Sequence, residues 1–111
     1  MKLYKVRMTK QANEHVLSYA DYIQNILLNP QAARKFVNDI RAAVKSLGYM
    51  PQRNPLIEEE PWRSRGIHKM AVRGYIIYYY VQEESETVLV FGIVYGKRNQ
   101  IEQLTDMNFE Q

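Results

Sequence analysis

The sequence contains no cysteine. Disulfide staples, thiolate metal sites and a cysteine nucleophile are therefore excluded, and a reducing compartment suits the chain. Histidine is scarce: His15 and His68 are the only two, and their placement matches no metal-binding spacing. Long apolar runs are missing as well. No stretch approaches the ~20 apolar residues needed to span a bilayer. The opening Met1-Lys2-Leu3-Tyr4-Lys5-Val6-Arg7 alternates charged and apolar residues, unlike the core of a signal peptide. A cytoplasmic protein with no membrane partner is expected. Gly96-Lys97-Arg98 lacks the upstream Gly and the Ser or Thr of a phosphate-binding loop. No local Ser-His-acid arrangement stands out. Neither a metal nor another cofactor is expected.

The 111 residues suit one compact domain over 1–111, because a second core would be too small to stabilise itself. Nine Tyr stand against three Phe. Tyrosine can pack its ring while its hydroxyl stays wet, which suits a half-buried sheet. The net charge of +3 is mild but unevenly placed. Arg63, Arg65, Lys69 and Arg73 lie between Trp62 and Tyr80 with no acid among them, and Lys97 and Arg98 follow later. Acids gather at Glu58 to Glu60 and at Glu83, Glu84 and Glu86. A basic face of this kind either attracts phosphate backbones or an acidic partner, or is simply solvated.

Leu3 to Met8 alternates as a strand does. Thr9 can cap the next helix through its hydroxyl. Ala12, Val16, Tyr19, Ala20, Ile23 and Leu27 fall on one helical stripe, so a helix is predicted over Lys10 to Leu28. Asn29-Pro30 then restarts a helix with a good cap and a proline at the first helical position. Its stripe is Ala33, Phe36, Val37, Ile40, Val44 and Leu47, and Gly48 and Pro51 end it. Two helices with almost no loop between them form an antiparallel hairpin. Tyr49 to Trp62 contains Pro51, Pro55 and Pro61 with no clear period and reads as a loop. Ile67–Arg73, Tyr75–Val81 and Thr87–Tyr95 read as strands of an antiparallel meander with turns at Gly74 and over Gln82 to Glu86. One short helix is expected after Asn99.

The predicted fold is α+β, β-α-α-β-β-β, with the helix hairpin on one face of a largely antiparallel four-stranded sheet. Ile23, Phe36, Ile40, Ile77 and Tyr79 are expected to be buried. The other sheet face is expected to be open to solvent and to carry the function.

Site candidates are cationic. On the second strand, Lys69, Ala71 and Arg73 share one face, while His68, Met70 and Val72 share the other, core-like face. Lys69 and Arg73 are thus expected on the open face, with Lys97 and Arg98 at the exit of the last strand. Such groups can stabilise a phosphate undergoing transesterification, or can merely solvate the strand. His68 reads either as a general base or as a packed, hydrogen-bonded core histidine. Tyr78 and Tyr80 share parity and suit base stacking, partner contact or cross-strand packing. Three consecutive acids, Glu58 to Glu60, point in different directions and read as a solvated turn.

The assembled chain resembles the RelE/ParE toxin superfamily of type II toxin–antitoxin systems, which includes plasmid stabilisation proteins. The likeness lies in Tyr19-Ala20-Asp21-Tyr22-Ile23 and Pro30-Gln31-Ala32-Ala33-Arg34-Lys35-Phe36-Val37, in the Leu47 to Pro51 exit, and in Gly66 to Tyr79 and Val88 to Arg98. It covers nearly the whole chain. The resemblance implies a growth inhibitor silenced by a cognate antitoxin, with either DNA gyrase or the ribosome and its mRNA as target. It also implies, for a ribosome-dependent, metal-independent endoribonuclease, a set of strand cations, an Arg after the glycine turn, a late Arg and often a C-terminal Tyr or a His. Carried over, Lys69 and Arg98 match as catalytic groups. The second strand lysine falls at Ala71, the Arg after the turn at Ile76, and the Tyr near Leu104. His68, Arg73 or Tyr95 would have to substitute. With these gaps and its long hairpin the chain looks more ParE-like, with Lys69, Arg73, Lys97 and Arg98 as target-binding residues. The alternatives are the RelE-like nuclease and a decayed toxin that retains only antitoxin binding.

Overall fold

The computed structural model describes residues 2–109. Strand β1 (Lys5–Met8) leads into helix α1 (Lys10–Asp21), which continues as a single π-helical turn over Tyr22–Ile26. Helix α2 (Pro30–Ser46) returns antiparallel, followed by a 3₁₀ turn at Pro51–Arg53. The meander is β2 (His68–Val72), β3 (Tyr75–Gln82) and β4 (Thr87–Tyr95), and helix α3 (Gln100–Thr105) follows.

The helix starts obey local chemistry. Thr9 Oγ1 accepts from the Ala12 N–H at 3.1 Å and Asn29 Oδ1 from the Ala32 N–H at 3.0 Å, each satisfying one orphan donor. The predicted first helix differs at its end. There the Leu27 N–H bonds to the Tyr22 carbonyl, five residues back, and the wider turn rotates the stripe. Ile23 is consequently only half-buried, while Phe36, Ile40, Ile77 and Tyr79 are buried as expected.

The sheet order is β1-β4-β3-β2. β2–β3 and β3–β4 pair antiparallel, and β1 pairs parallel to β4 with Val6 opposite Val88. A bulge at Phe91 interrupts β4: Tyr78 opposes Gly92, but Tyr79 opposes Val90. The extra residue reverses the side-chain parity beyond it, so Ile93 joins Val88 and Val90 on the hairpin side.

The hairpin lies on one face. Ala12 and Val16 of α1 and Phe36, Ile40 and Val44 of α2 meet Met70, Ile77, Tyr79, Val88, Val90 and Ile93. The other face is not open, contrary to expectation. Ile57, Trp62 and Ile67 from the proline-containing loop and Leu104 from α3 cover Tyr78, Phe91 and Val94 in a second core, with Met107 and Phe109 against it. The reason is composition: β4 is buried from Thr87 through Val94, and a strand apolar on both faces must be covered on both. Among the described residues, no helix is long and apolar enough to cross a membrane.

Candidate functional site

The second core leaves a groove of about 280 Å³ where the meander, the loop and α3 meet. Lys69, Glu59, Tyr78, Arg98 and Gln100 line it, over an apolar floor of Ile57, Ile101 and Leu104. Lys69 sits opposite Tyr78 across the β2–β3 ladder. Arg98 lies in the turn that leaves β4, where its N–H donates to the Tyr95 carbonyl at 2.9 Å. Asn99 then caps α3 by accepting from the Glu102 N–H at 3.2 Å. The fold thus brings together two cations far apart in sequence.

The other expected residues do not join them. Arg73 belongs to the β2–β3 turn, not to the strand: Arg73 and Gly74 both have positive φ, 52° and 86°, as a tight two-residue hairpin turn requires. The turn takes Arg73 out of the strand alternation. Its Nε lies 3.4 Å from Asp39 Oδ2 on α2, on the hairpin side. Lys97 is exposed beside Arg98 but does not line the groove. Tyr95 is turned to the hairpin side, its ring 5.3 Å from that of Tyr75. His68 is also there, stacked on Tyr79 at 5.1 Å with an interplanar angle of 11°. Its Nδ1 lies 2.7 Å from the Asn54 carbonyl oxygen. A carbonyl only accepts, so Nδ1 carries the proton. His68 is thus the packed, hydrogen-bonded histidine of the two readings.

Tyr78 is unavailable for base stacking, because the second core covers it, and Tyr80 is half-buried against that core. Tyr78 is 1% exposed and its hydroxyl donates to Gln100 Oε1 at 3.1 Å. Burial, with the nearby Glu59 charge adding to it, pushes its phenol up to about 12. It stays protonated at neutral pH and cannot act as a base. Tyr80 donates to the Phe109 carbonyl at 2.9 Å. Ile76 is half-buried against the second core and Leu104 is 1% exposed within it. The positions at which the resemblance would put an Arg and a Tyr, Ile76 and Leu104, therefore serve packing.

Glu59 is the groove residue that sequence reasoning missed. Glu59 and Glu60 do part: Glu59 lines the groove, while Glu60 is tied up locally. It accepts from the Ser64 N–H and hydroxyl, both at 2.8 Å, and these bonds hold its carboxyl below the usual range. The available signal was Ile57 and Trp62: large apolar residues in a loop have to be buried somewhere, and burying them brings Glu59 to the groove. Chemically, the groove offers two cations and one carboxylate. Among the described residues no cluster of three or more His, Asp or Glu could hold a metal.

Arg98 also borders a larger pocket, about 570 Å³, between α1, the π-helical turn and the ends of β3 and β4. Its walls are Tyr19, Tyr22, Tyr75 and Tyr95 with Ile23, Leu27 and Ile93, and His15 lines it. His15 Nδ1 accepts from the Ile93 N–H at 3.1 Å. Burial lowers its pKa, opposed by the Glu14 charge, so the ring is neutral with its proton on Nε2.

A sequence profile of the family described as "ParE toxin of type II toxin-antitoxin system, parDE" matches residues 6–100. No curated protein is detectably similar in sequence. Among solved structures, the chain resembles one from the chromosomal ParDE toxin–antitoxin system of P. aeruginosa, with a TM-score of 0.68 and 19% identity over 84% of this chain and 96% of that one. It also resembles a chain of the RelBE2 toxin–antitoxin complex of Mycobacterium tuberculosis, with a TM-score of 0.61 and 21% identity over 86% and 93%. At these identities the two likenesses establish the fold.

Proposed function

This chain belongs to the ParE toxin family of type II toxin–antitoxin systems, and from that premise we propose that it arrests growth in the cytoplasm by binding DNA gyrase, and that a cognate antitoxin silences it. One observation carries the choice of a binder over a nuclease: Ile76 and Leu104 are committed to the second core, where a ribonuclease of this fold would need a cation and a phenol. Arg73, a possible substitute cation, pairs with Asp39 on the hairpin side. Lys97 and Arg98 remain as exposed cations at the β4 exit, and Lys69 lies beside Arg98 in the groove. These three form the target-binding set.

The test is induced expression, read by gyrase supercoiling and by transcript mapping. Inhibited supercoiling without mRNA cleavage is expected. Lys97→Ala and Arg98→Ala should each weaken toxicity gradually, because interface energy is spread over several contacts. Strong codon-phased cleavage would overturn the gyrase reading.

Glu59 favours a second reading. A carboxylate beside two cations can take the proton of a ribose 2′-hydroxyl while Lys69 and Arg98 stabilise the charge developing on the phosphate. Under this ribosome-dependent endonuclease reading, Arg98→Ala would reduce cleavage roughly 100-fold or more, and Glu59→Gln would also suppress it. Antitoxin binding with neither activity would mark a decayed toxin.

A further inference from the structure

Helix α2 carries a second set of cations, on its outer flank and away from the β4 exit. Arg34, Asn38, Arg41 and Lys45 are all exposed. They recur at intervals of four, three and four residues, so they share one face of the helix and form a stripe. The rise per helical residue makes it about 16 Å long. Phe36, Ile40 and Val44 occupy a different face, packed toward the sheet.

The stripe runs along two recesses that meet at Arg41. One, between α1 and α2, is lined by Gln24, Arg34, Asn38 and Arg41 over Ala20 and Val37. The other, where α2 meets β1, is lined by Arg41 and Lys45 with Tyr4, Val6 and Met8. No carboxylate lines either recess.

The positive charge is not neutralised locally. Among the described residues, Arg34, Arg41 and Lys45 make no ion pair. Asp39 is the sole acid of α2, and it is turned off the stripe to Lys35 and Arg73. Glu83 stands beyond Tyr4, where it accepts from Tyr4 and Gln52 and pairs with Lys2. The side-chain amides of Gln24 and Asn38 make no hydrogen bond among the described residues and are free to donate.

These groups offer charge and donors in a line, without a stacking platform. Tyr4 is the one ring in either recess, and its hydroxyl is engaged by Glu83 and Gln52. Single-stranded nucleic acid is held largely by stacking its bases on rings. A duplex backbone needs only cations and donors. The stripe residues include no apolar side chain that could anchor a protein segment.

We propose that this stripe binds the phosphate backbone of duplex DNA without reading its sequence. The choice of DNA over another duplex rests on the gyrase reading, because gyrase acts on duplex DNA. The helix hairpin and the Lys69–Arg98 groove lie on opposite faces of the sheet. The chain can therefore contact a target protein on one side and that target's DNA on the other.

The test is binding of the purified full chain to a short labelled DNA duplex over a series of salt concentrations, with the amide signals of Arg34, Asn38 and Arg41 as reporters. A Kd of about 1–100 µM is expected, with shifts at all three amides. Three phosphate contacts should make the affinity fall roughly 40-fold between about 50 and 200 mM salt. Arg41→Gln should weaken binding and reduce that fall to roughly 10-fold, and Arg34→Gln combined with Lys45→Gln should reduce it to roughly 3-fold. Lys5→Gln and Arg7→Gln are charge-matched controls. Val6 and Met8 pack with the hairpin, so Lys5 and Arg7 alternate to the other sheet face, and their loss should leave affinity and salt dependence unchanged. No binding, unshifted α2 amides, or an equal loss in the controls overturns the proposal. So does tighter binding of single-stranded DNA or of duplex RNA. Displacement by polyglutamate as effective as by unlabelled duplex would assign the stripe to an acidic protein and overturn it too. Gyrase is absent from the measurement, so a failed stripe leaves the supercoiling test standing, and DNA binding without gyrase inhibition would sink that reading alone.

Discussion

The backbone N–H of Ile93 on β4 donates to Nδ1 of His15 on α1 at 3.1 Å, so a helix side chain does the work of a neighbouring strand. β1 ends at Met8 opposite Val90, and beyond it, among the described residues, β4 has no strand partner on that edge. Gln11, His15 and Tyr19, each one helical turn apart, take over. Gln11 Nε2 donates to the Phe91 carbonyl at 2.7 Å, and the Tyr95 N–H donates to the Tyr19 hydroxyl at 2.9 Å. Four helical residues rise about 6 Å and two strand residues about 6.6 Å, so the two repeats stay in step over two turns.

Stability should fall as pH drops from about 6.5. His15 is desolvated and its folded pKa is lowered from 6.5, so the unfolded chain takes up its proton first and gains relative to the folded one. The loss begins near the ordinary pKa and flattens below the folded one. Glu60 and Glu83 have depressed folded pKa values, so their contribution is present above about 4.5 and is lost only at lower pH. His15→Gln keeps an acceptor for the Ile93 N–H without a titrating ring. Urea unfolding at a series of pH values should show a flatter profile above pH 5 for this variant; an unchanged slope would discount the role of His15.

Tyr19→Phe should destabilise the chain by about 1–3 kcal/mol, because the Tyr95 N–H loses its acceptor while the ring contacts to Phe36 and Tyr75 persist. Chemical denaturation measures the loss, and amide exchange at Tyr95 should accelerate ahead of its neighbours.

Gln11→Ala should release the C-terminal segment. Gln11 Nε2 donates to the Asn108 carbonyl and Gln11 Oε1 accepts from the Asn108 N–H, both at 2.9 Å. Without this pair, Met107 and Phe109 lose one anchor over the second core. Hydrogen exchange should rise at Asn108 and Phe109, with a cost of about 1–2 kcal/mol. Protection unchanged there would show that Phe109 packing on Phe91, at 4.7 Å, and the Tyr80 hydrogen bond to its carbonyl hold the segment without Gln11.

Arg73→Ala should shift stability by less than about 1 kcal/mol, because the Arg73 side chain is exposed and its half-buried partner Asp39 keeps Lys35 at 3.5 Å. It should also leave growth inhibition intact, as Arg73 faces away from the Lys69–Arg98 groove. Loss of toxicity in a growth assay would return Arg73 to the target-binding set.

The sequence by itself determined what depends on local periodicity and local capping. The Thr9 and Asn29 caps, the Phe36–Ile40–Val44 stripe, the alternation of His68 and Met70 against Lys69, and the order of elements follow from which residues recur at 3.6 and at 2.0. The family likeness was legible because those elements keep the order and spacing of the superfamily. Tertiary structure decided everything that needed two distant segments at once. The all-apolar run Val88 to Val94 did signal burial on both faces, but only the folded loop shows that Ile57, Trp62 and Ile67 supply the second cover and bring Glu59 to Lys69 and Arg98. The Phe91 bulge and the Arg73-Gly74 turn each break the alternation on which face assignments rest, sending Tyr95 and Arg73 to the hairpin side. The π-helical turn does the same to Ile23. Parity and stripe are propagated along the chain from residue to residue, so one inserted residue or one left-handed turn redirects every side chain that depends on it, and only packing fixes where that break falls.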